Sequence, residues 1–134
     1  MSETTVRYEG SLRCSAEHPE SGVIVVTNAP KDNHGNGASF SPSELLSVSL
    51  GSCILSIMGI MAQSLNIDIT GATAKVEKEM ASAPRRIARI AVHIHVPGML
   101  DEDQRLRLET AAHACPVHNI LNVDAPIVFS WGTA

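Results

Sequence analysis

Ser41-Pro42-Ser43-Glu44-Leu45-Leu46-Ser47-Val48-Ser49-Leu50-Gly51-Ser52-Cys53-Ile54-Leu55-Ser56-Ile57-Met58-Gly59-Ile60-Met61-Ala62-Gln63-Ser64-Leu65 decides how this chain folds. It opens with a serine in N-cap position, a proline in the first helical place and a glutamate three residues after the serine. That is a capping box. The stretch predicts one helix of about 25 residues, roughly 37 Å long at ~1.5 Å per residue. It contains no lysine or arginine and is apolar on nearly every face, so it must be surrounded. Serines and glycines interrupt it and no cationic flank follows, which favours burial in protein over a membrane span.

Working outward, Thr4 to Cys14 and Val23 to Thr27 read as two strands joined by the turn-rich His18-Pro19-Glu20-Ser21-Gly22. Asn28 to Ser39 has little apolar to bury and reads as a loop. Beyond the long helix, Ile67 to Met80 and Ile87 to Val96 form a second antiparallel pair, turning at Ser82-Ala83-Pro84-Arg85. Ile90, Val92, Ile94 and Val96 alternate with Arg89, Ala91, His93 and His95, the pattern of a half-buried strand with its histidines facing solvent. Asp101 to Ala114 predicts an amphipathic helix with Leu106, Leu108, Ala111 and Ala112 inside and Arg105 among the residues outside. Cys115-Pro116 breaks it, since a residue before proline avoids the helical region. A short helix, Pro116 to Leu121, and a strand, Ile127 to Trp131, follow. The order is ββαββααβ, an α+β fold with largely antiparallel sheets, in a single domain spanning 1–134.

The formal net charge of −4 and only four aromatics (Tyr8, Phe40, Phe129, Trp131) argue against nucleic acid as a partner. An aliphatic core with so few aromatics favours apolar surface shared with a second subunit. Met1 to Gly10 lacks the apolar core of a signal peptide, so the chain is expected in the cytoplasm. There, Cys14, Cys53 and Cys115 do not make a disulfide scaffold, leaving redox chemistry, metal binding or packing.

Cys53, from position alone, reads as a small apolar filler of a crowded helix. To react it must ionise, which burial opposes, so it needs a cation from elsewhere. Arg13, Arg85, Arg86 and Arg89 are the candidates. Cys115 has the better local setting, since a proline-started helix favours a thiolate on the residue before it. His113, Cys115 and His118, with His93 and His95 in reserve, match no standard zinc spacing, and a metal is not expected. No phosphate-binding glycine loop and no nucleophile elbow is present.

Ser41-Pro42-Ser43-Glu44-Leu45-Leu46, Leu50-Gly51-Ser52-Cys53 and Ala114-Cys115-Pro116-Val117-His118-Asn119 together resemble the osmotically inducible protein C / organic hydroperoxide resistance (OsmC/Ohr) family. The resemblance extends over nearly the whole chain, including the order of elements. It implies an intertwined homodimer with active sites at the subunit interface. It implies that Cys53 attacks an organic hydroperoxide, that Cys115 resolves the product to a disulfide, and that an external dithiol resets the pair. Arg13 falls where the family's thiolate-holding arginine stands, on the N-terminal hairpin. Glu44 is the acid near the helix start, nine residues before Cys53, where the family's acid usually stands ten before, at the place of Ser43. That departure either re-aims the arginine or marks a divergent branch. Leu50, Ile54, Met58 and Met61 are the expected apolar walls for an alkyl substrate. No cofactor, nucleic acid or membrane is called for. Two other readings stay open: a non-catalytic dimeric protein of the same fold that binds a small apolar ligand, and a thiol-based peroxide sensor.

Overall fold

A computed structural model describes residues 2–133. The chain divides into two compact units, residues 1–46 and 47–134.

The N-terminal unit is a three-stranded antiparallel sheet, β1 (Val6–Gly10), β2 (Arg13–Glu17) and β3 (Ile24–Asn28), in that order. The expected single strand over Thr4 to Cys14 is thus two strands. Ser11 and Leu12 form a two-residue turn between them with φ of 54° and 60°. Both central residues lie in the left-handed region, as a tight hairpin matched to strand twist requires. The signal is silent because neither residue is glycine or asparagine. The turn at His18 to Gly22 forms where expected, closed by the Gly22 N–H donating to the His18 carbonyl at 2.8 Å. The loop that follows contains a single 3-10 turn, Lys31–Asn33.

The long helix, α1, runs Pro42–Ser64. Its capping box is complete: the Glu44 N–H donates to Ser41 Oγ at 3.2 Å, and the Ser41 N–H donates to Glu44 Oε1 at 3.0 Å.

The C-terminal unit holds β4 (Thr73–Ala81), β5 (Arg86–Val96), α2 (Glu102–Ala112), α3 (Pro116–Asn119) and β6 (Ile127–Trp131). β4 and β5 pair antiparallel, as expected. β6 pairs parallel to β5, with Val92 opposite Ile127 and Val96 opposite Trp131. The second sheet is therefore mixed, while the other three strand pairings are antiparallel, in keeping with the largely antiparallel expectation. A strand reached through α2 and α3 has connection enough to return in the same direction.

Ile90, Val92, Ile94 and Val96 all lie at 1% exposure or less, packed with Leu50, Ile54, Met58 and Ala62 of α1 and Leu108 and Ala112 of α2. Burying each large aliphatic side chain contributes about 1.5–3 kcal/mol. Gly51 lets α1 lie close on β4: a Cβ there would stand 3.2 Å from Ala74 Cβ and 3.3 Å from Val76 Cγ2. The expectation that Leu106 points inward fails; it is 61% exposed. Leu106 and Leu108 are two residues apart, about 200° around a helix, and Leu108 takes the core. Arg105, expected outside, is half-buried over the Trp131 ring at 5.7 Å.

One expectation about α1 holds on one side only. Its core face is sealed, but Val48 is 43% and Ile60 68% exposed within the single chain. Among the described residues this helix is also long and apolar enough to cross a membrane, and 28% of its most apolar stretch is buried.

Candidate active site

Within the C-terminal unit the fold brings Cys53 and Cys115 together. Cys53 is on α1, half-buried. Cys115 caps α3, with φ −64° and ψ 118°, the extended geometry that Pro116 imposes on its predecessor. It is wholly buried. The two thiols lie close enough to interact, and that interaction bears on the Cys115 proton. Cys115 Sγ also accepts the backbone N–H of His118 at 3.3 Å.

Burial pushes the Cys115 thiol above its ordinary value of 9.0, and the interaction with Cys53 pushes it further. The backbone N–H groups of His118 and Val117 pull the other way, as a helix start does, but burial prevails. This reverses the sequence expectation. Sequence favours a thiolate at Cys115, yet burial first, and Cys53 beside it second, favour the protonated thiol there. Helix α3 is one turn long and supplies too little to offset the loss of water.

The four named arginines separate. Arg86 donates to the carbonyls of Ser82 (3.2 Å) and Pro84 (3.0 Å), tying its own hairpin. Arg89 Nε donates to Asp124 Oδ2 at 2.8 Å. Arg85 lies in the same hairpin turn as Arg86. Arg13 opens β2, exposed, opposite Asn28. Glu44 is exposed and acts in the cap.

Of the expected apolar walls, Leu50, Ile54 and Met58 are at 0% exposure in the core and Met61 is half-buried. On the Cys53 side of α1, Ile57 and Ile60 stand four and seven residues on, half-buried and exposed.

The histidines are occupied individually. His113 meets the edge of Phe129 at 6.1 Å between ring centres. His118 Nε2 lies 2.7 Å from the Ala125 carbonyl. His93, exposed as expected, and half-buried His95 both meet Ser130 Oγ, at 2.8 and 2.7 Å. Among the described residues no group of three His, Cys, Asp or Glu could hold a metal ion. The His118 contact has no signal in the sequence beyond a histidine that follows Cys-Pro.

A sheet, a long cysteine-bearing helix and a second sheet, with a buried Cys-Pro thiol against the first cysteine, define an OsmC-type α+β fold. The family model described as OsmC-like protein matches residues 34–130, and the chain belongs to that family. A crystal structure of a Psychrobacter arcticus protein, provisionally named an osmotic stress induced and detoxification response protein, is 39% identical. It superposes with a TM-score of 0.90 over 97% of this chain and 96% of that one. An uncharacterised protein of Acinetobacter baylyi is 30% identical over 112 residues, 78% of this chain and 77% of the relative. An organic hydroperoxide resistance protein of Legionella pneumophila shares the fold at 17% identity and a TM-score of 0.70, over 100% of this chain and 98% of that one.

Proposed function

We propose that this protein is a thiol-dependent peroxidase that reduces organic hydroperoxides to alcohols. What supports this reading is the closeness of Cys53 and Cys115 in a fold shared with proteins named for hydroperoxide resistance. The Cys53 thiolate attacks one peroxide oxygen. The S–O bond forms, the O–O bond breaks, and the departing alkoxide takes a proton to become the alcohol. Cys115 then condenses with the Cys53 sulfenic acid, releasing water and leaving a disulfide. An external dithiol reduces that disulfide by exchange. Arg13 is the cation that favours the Cys53 thiolate, and Glu44 aims it. Both roles rest on the family resemblance. The working form is a homodimer in a reducing cytoplasm, and Ile57 and Ile60 beside Cys53 favour an alkyl substrate over hydrogen peroxide.

A binding-only reading draws on an apolar-lined cleft of about 450 Å³ in the N-terminal unit, bordered by Ala16, Pro19, Val23 and Val25. One experiment separates the readings: consumption of cumene hydroperoxide with excess dithiothreitol, wild type against Cys53→Ser. Multiple turnovers that vanish in the variant support the peroxidase. No consumption above the variant leaves the binding reading, and a single turnover without recycling leaves a peroxide sensor.

A further inference from the structure

We propose that His118 is the positioning residue for the disulfide-forming step, an inference that rests on the peroxidase reading above. Helix α3 is four residues long and none of those residues is fully buried. A single turn does not hold itself, because helix nucleation is unfavourable without outside contacts. Cys115 is nevertheless held against Cys53 at the mouth of that turn.

The tie runs through one imidazole. His118 Nε2–H donates to the Ala125 carbonyl at 2.7 Å. Ala125 is itself fixed by its neighbours, since the Asp124 carbonyl accepts the Ile90 N–H at 2.9 Å and the Pro126 carbonyl accepts the Val92 N–H at 2.9 Å. Successive carbonyls of an extended segment point in opposite directions. The carbonyl between those two is therefore turned away from β5, towards the open edge of the sheet. His118 meets it there. The same residue's backbone N–H is bonded to Cys115 Sγ. His118 thus joins the central strand of the sheet, through the Asp124 to Pro126 segment, to the sulfur of Cys115.

That sulfur must enter a narrow geometry, an S–S bond of about 2.05 Å with a fixed dihedral preference. In the step, the Cys115 sulfur attacks the Cys53 sulfenic sulfur. The S–S bond forms, the S–O bond breaks, and the hydroxide leaves with the Cys115 proton as water. A loosened α3 lowers the effective concentration of that sulfur without touching the first step.

The test uses His118→Leu, which removes the donor, His118→Asn, whose amide is too short, and His118→Gln, whose amide reaches the Nε2 position. Cys53 sulfenic acid is trapped with dimedone and disulfide closure is timed after a pulse of cumene hydroperoxide. In His118→Leu and His118→Asn, sulfenic acid should form at the wild-type rate while closure slows about tenfold, the effect of one lost hydrogen bond in a restrained site. His118→Gln should restore closure to within about threefold. Closure at the wild-type rate in both Leu and Asn variants, equal slowing of both steps, or no rescue by Gln would overturn the proposal. The dithiol–disulfide equilibrium in glutathione buffers gives a readout independent of peroxide chemistry. If wild type consumes no peroxide, the peroxidase reading fails, yet the disulfide should still be about tenfold less favoured in His118→Leu. An unchanged equilibrium refutes the role of His118.

Discussion

Cys115 lies beside Cys53, and it is the more deeply buried of the two thiols. Cys53 is half-buried and Cys115 wholly buried. On the proposed peroxidase reading, that difference suits Cys53 to meet the peroxide and Cys115 to supply the proton with which hydroxide leaves as water.

Mild treatment of the reduced protein with cumene hydroperoxide should consume two of three thiols and leave Cys14 free. Peptide mass mapping should find Cys53 linked to Cys115. A link from Cys14 to either partner would remove the assignment.

The raised Cys115 pKa makes stability depend on alkaline pH. The folded state keeps a proton that the unfolded chain releases near 9.0, so the stabilisation is whole below that pH and is lost as pH rises above it. Urea unfolding of the reduced protein should show stability falling above pH 9.0 with a contribution of at most about 1.4 kcal/mol per pH unit from this group. Cys115→Ala should remove that contribution, and an equal slope in both proteins would contradict the assignment of the proton.

Arg13→Ala should slow peroxide reaction by about tenfold at pH 7 and by much less at pH 9, where alkali supplies the thiolate without a cation. Glu44→Gln is informative because glutamine also completes a capping box, so folding is preserved. A several-fold loss of activity in Glu44→Gln would assign the carboxylate a role beyond the cap, whereas full activity would confine it to the helix start. If Arg13→Ala changes neither rate, attention moves to Arg85, Arg86 and Arg89.

In the proposed homodimer a second copy of the chain covers the bare side of α1. Solution scattering should give a mass twice the 14.3 kDa of one chain. Ile60→Glu, on a residue 68% exposed in the single chain, should shift the protein towards monomer at micromolar concentration while leaving the core intact. A monomer at every concentration in the wild type would exclude the dimer.

Local chemistry was legible in the sequence and long-range geometry was not. Ser41, Pro42 and Glu44 announce the start of α1 because a capping box lies within four residues. The alternation from Ile90 to Val96 announces its buried face because side chains on a strand repeat every two. The parallel return of β6 depends on where α2 and α3 carry the chain, which no local pattern encodes. The turn at Ser11 and Leu12 uses residues that rarely take positive φ, so it leaves no mark. Leu50, Ile54 and Met58 read as apolar, but only packing tells a sealed core face from the wall of a pocket. The neighbourhood of Cys53 and Cys115 came from resemblance, not from spacing, and the inversion of their environments became visible only when burial was known.

Gly51 carries a consequence for the chemistry two residues further along. With hydrogen in place of a methyl group, the helix axis settles onto Ala74 and Val76 at a depth that any larger residue would change by tenths of an ångström. The position of Cys53 relative to Cys115 is therefore gauged from the opposite side of the same helix, and on the proposed reading a substitution at Gly51 would shift the two thiols against each other while leaving both in place.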